Sequence, residues 1–208
     1  MKKYLTELIG TFFLVLTIGC TVIEGGTGVI PPLAIGSVLM VMVFAGGHIS
    51  GAHYNPAVTL GVWIRGRCDS KDVVPYMGSQ IIGAILAAVA VKFLKAGAVV
   101  TVMSPAAGPA LVAEFLFTFA LVYVVLNVAT ANGTSGNSFY GLAIGMTVLA
   151  GAFAVGNISG GAFNPAVAIG ITVLGLASLS NIWIYLIANL LGGTVAALTF
   201  NFLNPEDK

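Results

Sequence analysis

Long apolar stretches fill most of the chain, and short segments rich in glycine, proline or polar residues separate them. Turn-forming residues mark these breaks, as in Gly25–Gly28 with Pro31 and Pro32, and in Asn132–Asn137. A helix needs about 20 apolar residues to cross a hydrocarbon core of about 30 Å. The pattern therefore predicts six membrane-spanning helices, at about 4–22, 33–52, 73–95, 108–130, 139–158 and 181–203.

Two further apolar pieces, at about 56–64 and 165–175, are too short to cross a membrane. Each begins at an Asn-Pro pair that follows a glycine-rich bend. Proline fits the first helical turn because its missing N–H would be unpaired there, and the preceding asparagine can cap the helix. The spacing therefore predicts two re-entrant half-helices.

The composition places the chain in a membrane. Apolar residues make up 58% of it and charged residues 7%, against roughly 25% charged residues in soluble proteins. A soluble domain with so few charges could not cover its surface, which excludes a cytosolic enzyme, a nucleic-acid-binding protein and a disordered linker. The net charge of +1 provides no basic surface for nucleic acid. Two cysteines indicate neither a disulfide framework nor a metal cluster, and no cofactor is expected.

The distribution of lysine and arginine along the chain predicts its orientation in the membrane. With six crossings, Lys92 and Lys95 fall on one side of the membrane, and the other side holds Lys2, Lys3, Arg65, Arg67, Lys71 and Lys208. The positive-inside rule then places both termini in the cytoplasm, with the chain in the plasma (inner) membrane. The first stretch is interpreted as a retained helix, because it contains Glu7 and lacks a convincing signal-peptide cleavage site.

The sequence repeats itself after 109 residues. At this shift Leu33–Gly36 matches Leu142–Gly145, and the segment Ile49–Val58 matches Ile158–Val167 at both its Ile-Ser-Gly and its Asn-Pro-Ala-Val motifs. Each half contains three crossings, so the second half enters the membrane from the opposite side. We therefore expect one membrane domain, 1–208, built from inverted repeats at about 1–104 and 105–208.

In such a repeat the two half-helices meet N-terminus to N-terminus near the midplane of the membrane. Non-helical backbone at that depth must line a water-filled cavity or be buried in protein. The midplane would be formed by Asn55, Pro56, Ala57, Asn164, Pro165 and Ala166. A ladder of carbonyl acceptors would lead to it, from Gly51, Ala52, His53, Tyr54, Gly160, Gly161, Ala162 and Phe163. Two helix N-termini, each with about half a positive charge, would oppose cations, so the pore suits small neutral hydrogen-bonding molecules.

These motifs resemble the major intrinsic proteins, the family of aquaporins and glycerol facilitators. The resemblance rests on the first motif from Gly47 to Val58, the second Asn-Pro-Ala, and the Glu-x-x-x-Thr-Phe motifs at Glu7 and Glu114. It covers essentially the whole chain. It implies an all-α, aquaporin-like membrane protein, a right-handed bundle of six helices with two half-helices as a seventh pseudo-span. It further implies one pore per subunit and a homotetramer.

Glu7 and Glu114 are the acids that lie well inside crossing helices, where carboxylates are costly and usually functional. The resemblance implies a structural role, in which each carboxylate accepts backbone N–H groups of the opposite re-entrant loop. Proton coupling is the alternative, because ion-coupled secondary transporters of small solutes also use inverted repeats and broken helices.

The sequence departs from the family at the outer constriction. Most aquaporins carry arginine directly after the second Asn-Pro-Ala, whereas this chain carries Val167. Counting from the two asparagines places the other constriction positions at Ile35, Ala152 and Gly161. These four residues describe a wide apolar ring. We therefore expect a channel for water and for other small neutral solutes such as glycerol, urea, ammonia and hydrogen peroxide.

The remaining polar residues give no sign of chemistry. His48 and His53 have no cysteine or acid at ligand spacing, and no nucleophile–base pair indicates an enzyme. A solvated cytoplasmic face is expected for Arg65, Arg67 and Lys71 with Asp69 and Asp72. Close contacts between helices are expected at Gly36, Gly83, Gly145 and Gly192.

Overall fold

Six long helices form the frame of the protein in a computed structural model that describes residues 1–24 and 28–207. The turn residues Gly25–Thr27 and the terminal Lys208 lie outside this range. All six helices are long and apolar enough to cross a membrane. They are α1 (Lys2–Val22), α2 (Ile30–Ser50), α4 (Ser70–Leu94), α5 (Ala107–Ala129), α6 (Tyr140–Ser159) and α8 (Ile182–Leu203).

Two short helices, α3 (Pro56–Ile64) and α7 (Pro165–Leu174), begin at the two Asn-Pro pairs. The Asn55 side chain accepts a hydrogen bond from the Ala57 N–H at 2.8 Å, and Asn164 caps α7 in the same way. Each asparagine thereby satisfies an N–H group that the first helical turn leaves unpaired. The predicted fold class, six spanning helices with two half-helices, is confirmed.

The two halves interlock through these half-helices. In each half the first and third long helices pack together, α1 on α4 and α5 on α8, and α2 packs on α6 across the halves. The half-helix α3 packs against α8 and α5, and α7 packs against α4 and α1. Each half therefore supplies the packing surface for the other half's broken segment.

Glycines set the closest helix contacts, as predicted. A Cβ atom on Gly36 would lie 2.8 Å from the carbonyl oxygen of Gly145, and one on Gly192 would lie 2.6 Å from that of Phe115. Added Cβ atoms on Gly83 and Gly145 would collide with the carbonyls of Leu8 and Gly36. Small residues allow backbones to approach this closely in lipid, where packing rather than the hydrophobic effect holds helices together.

The start of α1 and the segment that follows α8 lie on one side of the bundle, here called the terminal side; the other is the far side. Arg65 at the end of α3 forms an ion pair with Asp207, and the Asn132 N–H donates to the same carboxylate at 2.8 Å. That backbone N–H and the Arg65 charge hold the pKa of Asp207 below its usual range. This carboxylate is therefore ionised at neutral pH and ties the C-terminal segment to the half-helix and to the α5–α6 loop.

The prediction of a solvated charged face was wrong for Arg65 and Asp72, which are only 5% and 4% exposed. Besides pairing with Asp207, Arg65 lies 4.7 Å from the ring centroid of Phe200. Asp72 accepts hydrogen bonds from Lys3 and Tyr4. Charged side chains become buried when partners and hydrogen bonds replace water, and here distant parts of the chain supply those partners.

We predict that Gly83→Ala destabilises the protein by about 1–3 kcal/mol, the usual cost of forcing an extra carbon into a packed contact. The matched control is Gly78→Ala in the same helix, where an added Cβ meets nothing within 4 Å. The control variant should keep the stability of the native protein or exceed it by up to about 1 kcal/mol, because alanine has a higher helix propensity than glycine. Thermal unfolding in detergent measures both, and equal melting temperatures for the two variants would contradict the close α1–α4 contact.

Candidate functional site

The two half-helix N-termini meet at a pair of buried asparagines, as the inverted repeat predicts. The Asn55 Nδ2 donates to the carbonyl oxygen of Phe163 at 2.9 Å, and the Asn164 Nδ2 donates to that of Tyr54 at 2.8 Å. Each side-chain oxygen meanwhile caps its own helix. Each asparagine therefore joins the start of its own half-helix to the end of the other half's loop.

The loops that lead to these asparagines have unusual backbone geometry. Ala52, Tyr54 and Phe163 have φ values of 53°, 52° and 47°, in the left-handed region that residues with a Cβ rarely adopt. Such conformations persist only where surrounding interactions fix them. The loops therefore need strong anchors in the protein interior.

Glu7 is the anchor of the first loop. Its fully buried carboxylate accepts hydrogen bonds from the backbone N–H groups of His53 and Tyr54 at 3.0 and 2.6 Å. The Ser50 hydroxyl and the Gln80 amide donate to it at 2.6 and 2.8 Å. Four donors thus compensate the loss of water around the charge. Hydrogen bonds to a charged acceptor are stronger than those between neutral groups.

Glu114 repeats this arrangement in the second half. It accepts hydrogen bonds from the Ser159 hydroxyl at 2.7 Å and from the backbone N–H groups of Ala162 and Phe163 at 2.9 and 2.7 Å. The expectation that each carboxylate binds the opposite re-entrant loop was wrong, since each binds the loop of its own half. The reason is that α1 packs on α2 and α5 packs on α6, so each carboxylate lies next to the loop that continues from its neighbouring helix.

Sequence reasoning missed a second pair of anchors, the tyrosines of α4 and α8. The Tyr76 hydroxyl donates to the Ser50 carbonyl at 2.8 Å, and the Tyr185 hydroxyl donates to the Ser159 carbonyl at 2.7 Å. These contacts tie the ends of α2 and α6 at the point where each loop begins. The 109-residue shift pairs the two tyrosines and would have identified them.

A small cavity of about 70 Å³ lies at the asparagine pair. Residues 52–55 and 160–162 line it together with Asn164, which places most of the predicted carbonyl ladder along it. Aliphatic side chains from both halves form the rest of the wall and include three pairs related by the 109-residue repeat: Ile35 and Ile144, Leu39 and Val148, Val58 and Val167. The cavity thus combines backbone carbonyls with an aliphatic surface.

Two larger cavities share lining residues with this central cavity, one on each side. The far-side cavity measures about 310 Å³ and the terminal-side cavity about 680 Å³. Of the four expected constriction residues, Ile35, Gly161 and Val167 line the central cavity, and Ala152 lines the far-side cavity together with Ile35. These four residues are called the outer ring below. Ile35 lines both cavities, and the other three each line one of the two.

The other predicted pore residues lie around this path. Gly51 lines the terminal-side cavity, and Phe163 is buried with its ring centroid 5.4 Å from that of Phe117. The residues that begin the half-helices are buried as well, namely Pro56, Ala57, Pro165 and Ala166. The carbonyls of Tyr54 and Phe163 already accept the asparagine amides.

The two histidines have different surroundings. His53 lines the central cavity, and its Nδ1 lies 3.1 Å from the Thr59 hydroxyl. His48 is exposed and lines the terminal-side cavity. Within residues 1–24 and 28–207, no group of three or more His, Cys, Asp or Glu side chains could hold a metal ion.

Comparison with known proteins places this architecture in a family. The model of the major intrinsic protein family matches residues 1–200. The chain is similar to probable aquaporin NIP4-2 of Arabidopsis thaliana, with 34% identity over all of this chain and 76% of the relative. It is also similar to glycerol uptake facilitator protein-like 6 of Lactiplantibacillus plantarum, with 39% identity over the full length of both. The solved structure of the aquaglyceroporin from Plasmodium falciparum shares the fold, with a TM-score of 0.83 and 23% identity, covering 96% of this chain and 95% of the other.

We predict that Glu7→Gln and Glu114→Gln each destabilise the protein by about 1–3 kcal/mol or more, because loop N–H groups lose a charged acceptor in a buried site. Thermal unfolding in detergent measures the loss. The exposed Glu206→Gln, which removes the same charge, is the control and should have no effect. If both buried variants assemble and unfold normally while a proton-coupled flux disappears, the carboxylates couple protons and the anchoring role is excluded.

Proposed function

The chain belongs to the major intrinsic protein family, and on that premise we propose that it is a passive channel for water and other small neutral solutes. As an integral multi-pass membrane protein of a channel family, it is not an enzyme. The observation that carries the proposal is the central cavity beside the paired asparagines, with a larger cavity next to it on each side.

The walls of the central cavity suit molecules that carry hydrogen-bonding groups without net charge. Loop backbone at residues 52–54 and 160–162 supplies carbonyl oxygens on the polar part of the wall. The aliphatic part supplies no hydrogen bonds, so a solute exchanges its water shell for acceptors along one side of the path. An ion would lose far more hydration than such a wall returns.

The midplane would orient the solute and oppose cations. A carboxamide nitrogen has two hydrogens, and the bond to the opposite loop uses one from each of Asn55 and Asn164. The second hydrogen of each amide is then available to a passing oxygen atom. The N-termini of α3 and α7 converge at the same place, and their positive ends raise the energy of a cation or an excess proton.

The outer ring would admit solutes larger than water. Ile35, Ala152, Gly161 and Val167 carry no charge, and two of the four contribute little or no side chain. Glycerol, urea, ammonia and hydrogen peroxide are therefore proposed as additional solutes. A narrow hydrophobic constriction can close by dewetting, but the small residues at positions 152 and 161 oppose this.

Further features are proposed for the assembled protein. Both termini would face the cytoplasmic side of the plasma (inner) membrane, because six cationic residues lie on that side and two on the other.

Residues 1–208 would form one domain of two inverted repeats, and four copies would assemble with a pore in each. Native mass measurement in mild detergent tests the tetramer, and a purely monomeric species would exclude it.

The experiment that tests the channel is stopped-flow light scattering of proteoliposomes, with water, glycerol, urea and ammonia compared in turn. We expect water and solute fluxes above those of empty liposomes, with no dependence on a proton or sodium gradient. A solute flux that appears only with an ion gradient would instead establish an ion-coupled secondary transporter.

We predict that Val167→Arg lowers glycerol and urea permeability by a larger factor than water permeability, because it adds bulk and a fixed positive charge to the outer ring. Any cation leak should fall as well. Val167→Leu, which adds bulk without charge, separates the two contributions. If the native protein passes water but no measurable glycerol, urea or ammonia, and the arginine variant merely blocks water, the outer ring is not a wide filter.

A further inference from the structure

The inverted repeat gives the central cavity a second ring of side chains. Shifting the outer ring by 109 residues leads to Ile144, Val43, Ala52 and Val58, here called the terminal ring. The resemblance to the family assigns the selection of solutes to the outer ring. The two rings can be compared directly, because the repeat places equivalent positions at the two ends of one path.

The structure places the terminal ring as the counterpart of the outer ring. Ile144, Ala52 and Val58 line the central cavity, and Val43 lines the terminal-side cavity together with Ile144. This is the arrangement of the outer ring reflected through the midplane, where Ala152 and Ile35 line the far-side cavity. A solute that crosses the membrane by this path must pass both rings.

The terminal ring contains the larger side chains. Two positions are identical, since Ile144 repeats Ile35 and Val58 repeats Val167. At the other two, Val43 stands where the outer ring has Ala152, and Ala52 stands where it has Gly161. The terminal ring therefore holds three more side-chain carbon atoms. Because the side chains of both rings are aliphatic, the rings differ in size and not in hydrogen-bonding capacity.

The exposed fractions of the ring residues agree with this difference in size. The four residues of the terminal ring are between 2% and 6% exposed. In the outer ring only Val167 is buried, whereas Ile35, Ala152 and Gly161 keep part of their surface open. The terminal ring is therefore the more tightly enclosed of the two.

A neighbouring side chain adds bulk to the same half of the path. His53 lines the central cavity where the second half has Ala162. The contact with Thr59 and the packing on Tyr76, at 5.0 Å between ring centroids, hold the imidazole in place. The terminal half of the central cavity therefore carries a fixed imidazole where the other half carries a methyl group.

We propose that the terminal ring, rather than the outer ring, sets the upper size limit for solutes, with Val43, Ala52 and Ile144 as the residues that determine it. This proposal rests on the proposed channel function. A single methylene in a closely fitting apolar site changes discrimination by about 10- to 200-fold. Glycerol would pass the terminal ring. The permeation rate would fall steeply for longer linear polyols, because a longer chain must stay extended to fit through the ring.

The test uses equivalent substitutions in the two rings. Val43→Ala and Ile144→Ala widen the terminal ring, and Ile35→Ala is the matched widening of the outer ring. Stopped-flow light scattering of proteoliposomes gives the permeability of water, glycerol and the five-carbon polyol xylitol. We expect each terminal-ring variant to raise the xylitol rate relative to water on the order of tenfold. The outer-ring variant should raise it by less than about twofold, and the surface-exposed Leu198→Ala should leave it unchanged.

The opposite substitution provides an independent test. Ala152→Val enlarges the outer ring to the residue found at position 43, and it should lower the glycerol rate by less than about twofold because the terminal ring remains at least as narrow. If burial of Val43 makes its alanine variant fold poorly, Ile144→Val and Ile35→Val remove one carbon each and preserve the comparison.

Three results would overturn the proposal while leaving the channel intact. These are a larger xylitol increase from Ile35→Ala than from the terminal-ring variants, equal increases from both rings, and no increase from either. Absence of water flux above that of empty liposomes, in the native protein and in all variants, would instead refute the proposed function itself.

Discussion

Two buried carboxylates hold the centre of this protein together. Glu7 and Glu114 each accept two backbone N–H groups and a serine hydroxyl from a loop that could not keep its left-handed backbone alone. A charge at this depth is costly without partners, and unpaired loop N–H groups are costly too. Joining them removes both penalties, so the irregular backbone becomes stable where it lines the cavity.

The position of every other pore element follows from these fixed loops. Once they are held, the carbonyls of Tyr54 and Phe163 reach the amides of the opposite half, and the asparagines can cap α3 and α7. The half-helices then pack against long helices of the other half. Close helix contacts at the glycines bring the long helices near enough for the anchors to reach the loops.

The two halves share this framework but differ in the residues that surround it. In the first half Gln80 donates to both Glu7 and Thr59, and His53 contacts the same threonine. The second half has Ala162 and Ala168 at the positions of His53 and Thr59. A repeat can thus keep its anchors, which the backbone requires, while side chains beside the cavity change in size and polarity. That freedom makes the two ends of the pore unequal.

The sequence by itself determined the helices and the half-helices, because a long apolar run in lipid must satisfy its backbone hydrogen bonds internally and an Asn-Pro pair marks a helix start. It also determined which positions are equivalent, since the repeat is visible in the residues. Only the tertiary structure decided which loop each carboxylate binds, and that Arg65 and Asp72 are buried beside partners far away in the chain. It also decided which ring of the pore is the more enclosed. Local patterns depend on neighbours along the chain, whereas burial and ring size depend on contacts between segments that meet only when the chain folds.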